Sequence, residues 1–272
     1  SLSCPYIVSY KGFDVSKDKT FPTYNIFIEF MPGGTLSESI VAKGGCLGEQ
    51  EIRKYTRQIL LGLDYLHSEG IAHCDVKSGN ILLKDGGLKI ADLGCAKRVG
   101  SLGSTTGTPA FMAPEVARGE PQGLSGDVWA VGCTVVEMAT GGPPWKEAHD
   151  PVSVLFKIGY SGELPATPCW LSDIGKDFLE KCFRRDPEER WTARELLDHP
   201  FVAEEDDRLG PSWSPTGVLD HLFWSGIEEP DASALSRQDD QPVGDWMAAL
   251  DPTLINAGPR WDHGDDDWIN VR

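Results

Sequence analysis

The alternation of apolar and polar positions divides the chain into a strand-rich start, a helical middle and an acidic end. Tyr6–Phe13 is apolar and aromatic, Ser16–Thr20 is a polar turn, and Tyr24–Met31 is rich in β-formers. This stretch predicts two strands, closed by Pro32-Gly33-Gly34. From Gln50 to His67 the period lengthens. Ile52, Tyr55, Ile59, Leu63 and Leu66 recur every three or four residues, which predicts an amphipathic helix with Gly70 at its C-terminal cap. Ile81–Leu83 and Leu88–Ala91 flank a Lys84-Asp85-Gly86-Gly87 turn and predict two short strands. Residues 95–125 have no period and are dense in Gly, Ser, Thr and Pro; so long a structureless stretch inside a domain is usually functional. Asp127–Thr140 is apolar nearly all round, the pattern of a buried helix, and Gly141-Gly142-Pro143-Pro144 stops it. Shorter amphipathic helices are predicted at 152–159, 173–184 and 192–198, with Ile174, Phe178 and Cys182 on one face of the second. Strands followed by mostly helices make an α+β fold with a helical bulk.

Charge sharpens the boundary at the acidic end. The net charge is −17; from Ala203 onward 16 acidic residues face 4 basic ones, a net of −12, which leaves −5 for the first 202. Residues 1–202 therefore read as the folded domain and 203–272 as a separate acidic tail, mostly disordered. So acidic a chain has no broad basic face for nucleic acid or an anionic membrane. Seven dispersed cysteines, with no Cys-x-x-Cys pair, read as reduced intracellular thiols rather than a disulfide or zinc framework. No signal peptide or membrane span is visible, so a cytoplasmic location, with access to the nucleus, is expected.

The chemistry concentrates in two short runs. His73-Cys74-Asp75-Val76-Lys77-Ser78-Gly79-Asn80 fits the pattern H-x-D-x-K-x-x-x-N, and twelve residues after Asn80 comes Asp92-Leu93-Gly94. Such a set suits phosphoryl transfer. A carboxylate, Asp75, can orient an attacking hydroxyl and take its proton, and a cation, Lys77, can stabilise the transferring phosphoryl oxygens. Two oxygen ligands, Asn80 and Asp92, can hold Mg²⁺ against phosphates.

Downstream runs extend the pattern: Gly107-Thr108-Pro109-Ala110-Phe111-Met112-Ala113-Pro114-Glu115, then Asp127-Val128-Trp129-Ala130-Val131-Gly132, then Arg184-Arg185-Asp186-Pro187-Glu188-Glu189-Arg190. Together these runs resemble the eukaryotic serine/threonine protein kinases over about residues 5–202. Phe30-Met31-Pro32-Gly33-Gly34-Thr35-Leu36 and Ala72-His73-Cys74-Asp75 look most like plant MAP kinase kinase kinases of the MEKK-like class. The resemblance implies a protein-kinase-like fold, ATP and Mg²⁺ as cofactors, and a protein substrate, a MAP kinase kinase. It places Thr108 against Asp75 and Lys77, Asp127 beneath the catalytic loop, and Arg190 in an ion pair with Glu115. It sets the adenine against Ile28 as gatekeeper, the backbone of Glu29 and Met31, and Leu82 and Ala91. It also implies a packed stack of Tyr10, Leu93 and His73 over Asp127.

Three departures modify that expectation. Cys74 stands where many kinases carry an arginine that reads an activation-loop phosphate, so dependence on such a phosphate is expected to be weaker. Leu93 replaces the usual phenylalanine, an apolar swap of tolerable volume. Cys4-Pro5-Tyr6-Ile7-Val8 resembles the segment that directly follows the family's αC helix, and no Gly-x-Gly-x-x-Gly or Val-Ala-Ile-Lys run occurs in the chain. The expectation is a complete, mainly helical lower lobe beneath a partial β upper lobe holding only the equivalents of the family's fourth and fifth strands and the hinge. Such a chain would by itself have little or no activity. The alternative is a non-catalytic, kinase-like binding or regulatory module.

Ser101, Ser104, Thr105 and Thr106 are either phosphate acceptors or flexible-loop residues. The tail carries tryptophans at 213, 224, 246, 261 and 268 among acids and prolines. Besides a solubilising tail, that composition fits a docking segment for a partner, on a chain otherwise expected to be monomeric.

Overall fold

A computed structural model describes residues 3–17, 22–101, 105–145 and 150–203. The acidic tail and Ser104 lie outside the described residues. Two strands open the fold, β1 (Tyr10–Lys17) and β2 (Pro22–Ile28), paired antiparallel with Phe13 opposite Ile26 and Val15 opposite Tyr24. Their bounds sit apart from the sequence reading because Tyr6–Val8 belongs to a different ribbon. Ile7 bridges Ile90 in parallel, Val8 N–H donates to Ile90 O at 2.9 Å and Ile90 N–H to Tyr6 O at 2.8 Å.

Helix α1 (Leu36–Ala42) went unread, although Thr35-x-x-Glu38 is a capping-box signature. Glu38 N–H donates to Thr35 Oγ1 at 3.1 Å and Thr35 N–H to Glu38 Oε2 at 2.7 Å. Helix α2 (Glu49–Ser68), about 30 Å long, buries the predicted stripe: Ile52, Ile59, Leu63 and Leu66 are fully enclosed and Tyr55 nearly so. The chain leaves it through Gly70 at φ +69°, where a side chain would be strained. The short strand β3 (Ile71–Ala72) follows, then β4 (Ile81–Lys84) and β5 (Gly87–Ile90), an antiparallel hairpin. Strand β5 lies against α2 so closely at Gly62 that an added Cβ would stand 2.8 Å from Ile90 Cδ1. Strand β6 (Lys97–Arg98) pairs with β3.

Helix α3 (Pro114–Ala117) leads to α4 (Leu124–Thr140), whose residues are mostly buried, as an all-round apolar pattern requires. Helices α5 (Pro151–Tyr160), α6 (Asp173–Cys182) and α7 (Ala193–Leu197) close the helical body. In α6 the buried face is Gly175, Phe178, Leu179 and Cys182; Ile174, predicted inside, is 52% exposed at the first turn, beyond the packing. The core centres on α2 and α4, with Trp129 edge-on to Phe183 and Phe178 beside Phe201, centroids 5.1 Å apart in both pairs. Arg53 Nε donates to Phe201 O at 2.7 Å and an Arg57 amino group to Val202 O at 3.2 Å, fixing residues 201–202 to α2. Among the described residues no helix is long and apolar enough to cross a membrane.

Candidate active site

One carboxylate organises the loop between β3 and β4. Asp127, in the first turn of α4, is buried; its Oδ2 accepts from His73 N–H at 2.8 Å and its Oδ1 from Cys74 N–H at 2.8 Å. His67 Nε2 lies 2.9 Å from the same Oδ2. These bonds hold Cys74 at φ +69°, a left-handed conformation that costs a non-glycine residue roughly 1–3 kcal/mol. His73 is fully buried, with Asp75 N–H donating to its Nδ1 at 3.3 Å. That acceptor role puts the hydrogen on Nε2, which donates to Ala91 O at 3.0 Å. Both ring nitrogens thus serve the loop's shape.

The left-handed turn at Cys74 presents Asp75. Its Oδ1 accepts from Thr108 N–H at 2.9 Å and from Thr108 Oγ1 at 2.7 Å, while Lys77 Nζ sits 3.0 Å from Oδ2 and donates to Thr108 Oγ1 at 2.7 Å. Burial alone would raise the Asp75 carboxyl. The hydrogen bonds from Thr108 and Lys77, the Lys77 charge and the Asn80 amide outweigh it and hold the carboxyl below its ordinary value. Thr108 reaches this position because Gly107, at φ +116°, lets the backbone lie flat on the loop; a Cβ there would be 2.3 Å from Cys74 O.

Asn80 ends a short 3-10 turn (Ser78–Asn80), and its Nδ2 donates to Asp75 O at 2.8 Å and Asp75 Oδ2 at 2.9 Å. With both amide hydrogens used, the oxygen is the end left for a cation. Asp92, exposed at φ +59°, caps the turn Leu93–Cys95 by accepting from Gly94 N–H at 3.1 Å through Oδ1. An amide oxygen and a carboxylate are the hard donors Mg²⁺ prefers. No cluster of three or more His, Cys, Asp or Glu side chains suited to a metal occurs among the described residues. A cation held by these two residues would need further ligands from outside the protein side chains.

The five residues expected around adenine differ in exposure. Met31 and Ala91 are buried, Leu82 is half-buried, and Ile28 is 54% exposed. Gly33 N–H donates to Leu83 O and Leu83 N–H to Gly34 O, both at 2.9 Å, which laces the segment after Met31 along β4. Glu29 N–H donates to Ser9 O at 2.8 Å, and its carboxylate pairs with Lys89 at 2.7 Å. Of the expected stack, His73 rests on Asp127 and Leu93 packs against the core, whereas Tyr10 is 57% exposed.

Two site residues went unread in the sequence. Glu137 Oε2 accepts from Ser78 N–H at 3.4 Å, and burial raises its carboxyl above the ordinary value. A lone acid inside an apolar helix was the available signal. Gln122, between α3 and α4, bonds to the catalytic loop and to Thr106, and no sequence signal marks it.

The chain belongs to the protein kinase domain family, whose model matches residues 1–202. Mitogen-activated protein kinase kinase kinase 17 of Arabidopsis thaliana is 51% identical to it, over 84% of this chain and 65% of the relative. Mitogen-activated protein kinase kinase kinase 18 of the same plant is 44% identical, over 100% of this chain and 85% of the relative. Mitogen-activated protein kinase kinase kinase A of Dictyostelium discoideum is 42% identical, over 80% of this chain and 23% of the relative.

Proposed function

We propose that this domain phosphorylates serine and threonine hydroxyls of a protein substrate from Mg²⁺-bound ATP, and that the substrate is a MAP kinase kinase, as the names of its relatives suggest. The observation that carries the reading is the triangle of Asp75, Lys77 and Thr108 on a loop whose backbone Asp127 holds. Asp75 already accepts a hydrogen bond from one hydroxyl, that of Thr108. A substrate hydroxyl would make the same bond, which orients its oxygen and gives its proton a destination as the new O–P bond forms and the bond from the γ-phosphorus to the departing ADP breaks. Lys77 offsets charge on the phosphoryl oxygens. Asn80 and Asp92 would hold Mg²⁺, which would offset the negative charge of the phosphates. Ile28, the backbone of Glu29 and Met31, Leu82 and Ala91 would receive the adenine. The domain acts as a monomer in the cytoplasm, with access to the nucleus, and the acidic tail supplies a docking contact.

The 272-residue chain by itself is expected to turn over slowly. It contains no Gly-x-Gly-x-x-Gly or Val-Ala-Ile-Lys run to cover the phosphates. The apolar face of the β1–β2 ribbon is exposed. Both observations fit an upper lobe represented here by its fourth and fifth strands and hinge, although the family model matches from residue 1. Transfer of labelled phosphate to a catalytically dead MAP kinase kinase tests the reading, with the 272-residue chain and any longer product of its gene assayed side by side. A product carrying the phosphate-covering runs should transfer, and Asp75→Asn should lower its rate by about 10²–10⁴-fold. Wild-type rates in that variant would refute the role of Asp75. Vigorous transfer by the 272-residue chain would refute its expected weakness.

A further inference from the structure

We propose that Gln122 is a positioning residue that docks the activation segment onto the catalytic loop through its neutral carboxamide, so that the docked state needs no phosphate; the proposal rests on the kinase reading above. Every polar atom of the side chain is engaged. Nε2 donates to Thr106 O at 3.1 Å and to Cys74 O at 3.3 Å, while Oε1 accepts from Thr106 N–H at 3.4 Å and from Lys97 Nζ at 3.3 Å. The carboxamide thus pairs with both backbone groups of Thr106, as a neighbouring strand would. At the same time it ties that residue to the loop bearing Asp75 and to β6.

The position of the clamp gives it its effect. Two residues after Thr106, Thr108 makes its contacts to Asp75 and Lys77, and between them Gly107 lies against Cys74 O. Freeing Thr106 therefore frees the chain that carries Thr108 to the site. Gln122 is not bonded to Asp75, Lys77 or Asn80, so its action is on placement. Nor is there a cation at position 74 to grip a phosphate. The residue is a buried cysteine whose thiol is pushed up to about 12, first by desolvation and then by the Asp127 charge. The Lys97 ammonium, which could serve an anion, is already met by the Gln122 oxygen. The bonds made directly to Thr106 are between neutral groups, and the one charged partner of the clamp, Lys97, meets the Gln122 oxygen rather than Thr106.

Hydrogen–deuterium exchange on phosphatase-treated chain tests this without requiring turnover. In Gln122→Ala the amides of Thr106 and Thr108 should exchange about tenfold faster, the loss expected from removing paired hydrogen bonds at a part-buried site. Amides in the middle of α4 should not change. Gln122→Glu, equal in size, keeps the acceptor for Thr106 N–H but loses both N–H donors to Thr106 O and Cys74 O, so Thr108 should exchange faster while Thr106 is less affected; it stands in if the alanine variant does not fold. In the phosphatase-treated product that transfers phosphate, Gln122→Ala should lower kcat about tenfold with KM for ATP within about twofold. The proposal fails if Thr106 and Thr108 exchange at wild-type rates in both variants. It also fails if the wild-type segment exchanges freely until it is phosphorylated. Absence of phosphate transfer by the wild-type product would instead count against the kinase reading, and the exchange result would still decide the role of Gln122.

Discussion

Glu29 is the residue whose environment most directly ties the β1–β2 ribbon to the body. Its carboxyl is lowered to about 2, first by the hydrogen bond from Lys89, against the opposing effect of burial, and then by Ser9 N–H. The folded value lies below the ordinary 4.5, so between the two the unfolded chain binds more protons than the folded one. The ion pair's stabilisation is therefore complete above about 4.5 and is lost as pH falls toward 2. Glu29→Gln should be less stable than wild type at pH 7, and the gap between their urea midpoints should close as pH falls from 4.5 to 2. A gap that persists at the acid end would assign the effect to packing instead. At this scale the sequence was most legible where chemistry fixes spacing: Asp75, Lys77 and Asn80 lie together on one loop, and Thr108, set there by the family resemblance, lies beside them. It was silent on Gln122, because a carboxamide in an aperiodic stretch becomes meaningful only once Cys74 and Lys97, both distant in sequence, arrive beside it.

Helix α4 sets the architecture of the elements around it. Its first turn holds the catalytic loop through Asp127, and its N-terminal end is clamped from the other side by an ion pair between α3 and the chain before α7. Arg190 forks onto Glu115 with bonds of 2.7 and 2.9 Å, donates to Ser125 O at 2.8 Å and Arg184 O at 2.9 Å, and stacks over Trp129 at 5.4 Å. Both partners are more than nine-tenths buried. Arg190→Met should cost about 3–5 kcal/mol, since it strands the Glu115 charge, while Arg190→Met with Glu115→Leu should cost much less. Chemical denaturation of the two variants separates these outcomes; equal losses would mean the pair acts only through Arg190's bonds to backbone. The long helices were legible because their apolar stripes are strong. The first strand was misplaced by several residues because Tyr6–Val8 is apolar in either ribbon, and periodicity does not say which partner a strand will choose.

At the scale of the whole molecule, apolar surface is distributed unevenly. On one face of the β1–β2 ribbon the cross-strand pairs Tyr10–Ile28, Phe13–Ile26 and Val15–Tyr24 are all exposed, from 38% at Val15 to 69% at Tyr24. The helical body, in contrast, encloses a large apolar core around α2 and α4, and its exposed apolar side chains, such as Val41, Phe156 and Ile174, are dispersed along the sequence. A two-stranded ribbon is marginal by itself, and a contiguous apolar face beside strand edges that are unpaired among the described residues favours association. What anchors this ribbon lies at its base, in the Glu29–Lys89 pair and the backbone bonds of Tyr6 and Val8 to Ile90. Exchanging the central pair, Phe13→Lys with Ile26→Glu, should therefore raise the solubility of the 272-residue chain and reduce its binding of a hydrophobic dye. The melting temperature should move by no more than about 2 °C, because exposed residues contribute little burial to lose. The opposite charges also face each other across the strands, which preserves the register. A large fall in melting temperature would show instead that the face is covered in solution, and the surface covering it would then have to be found.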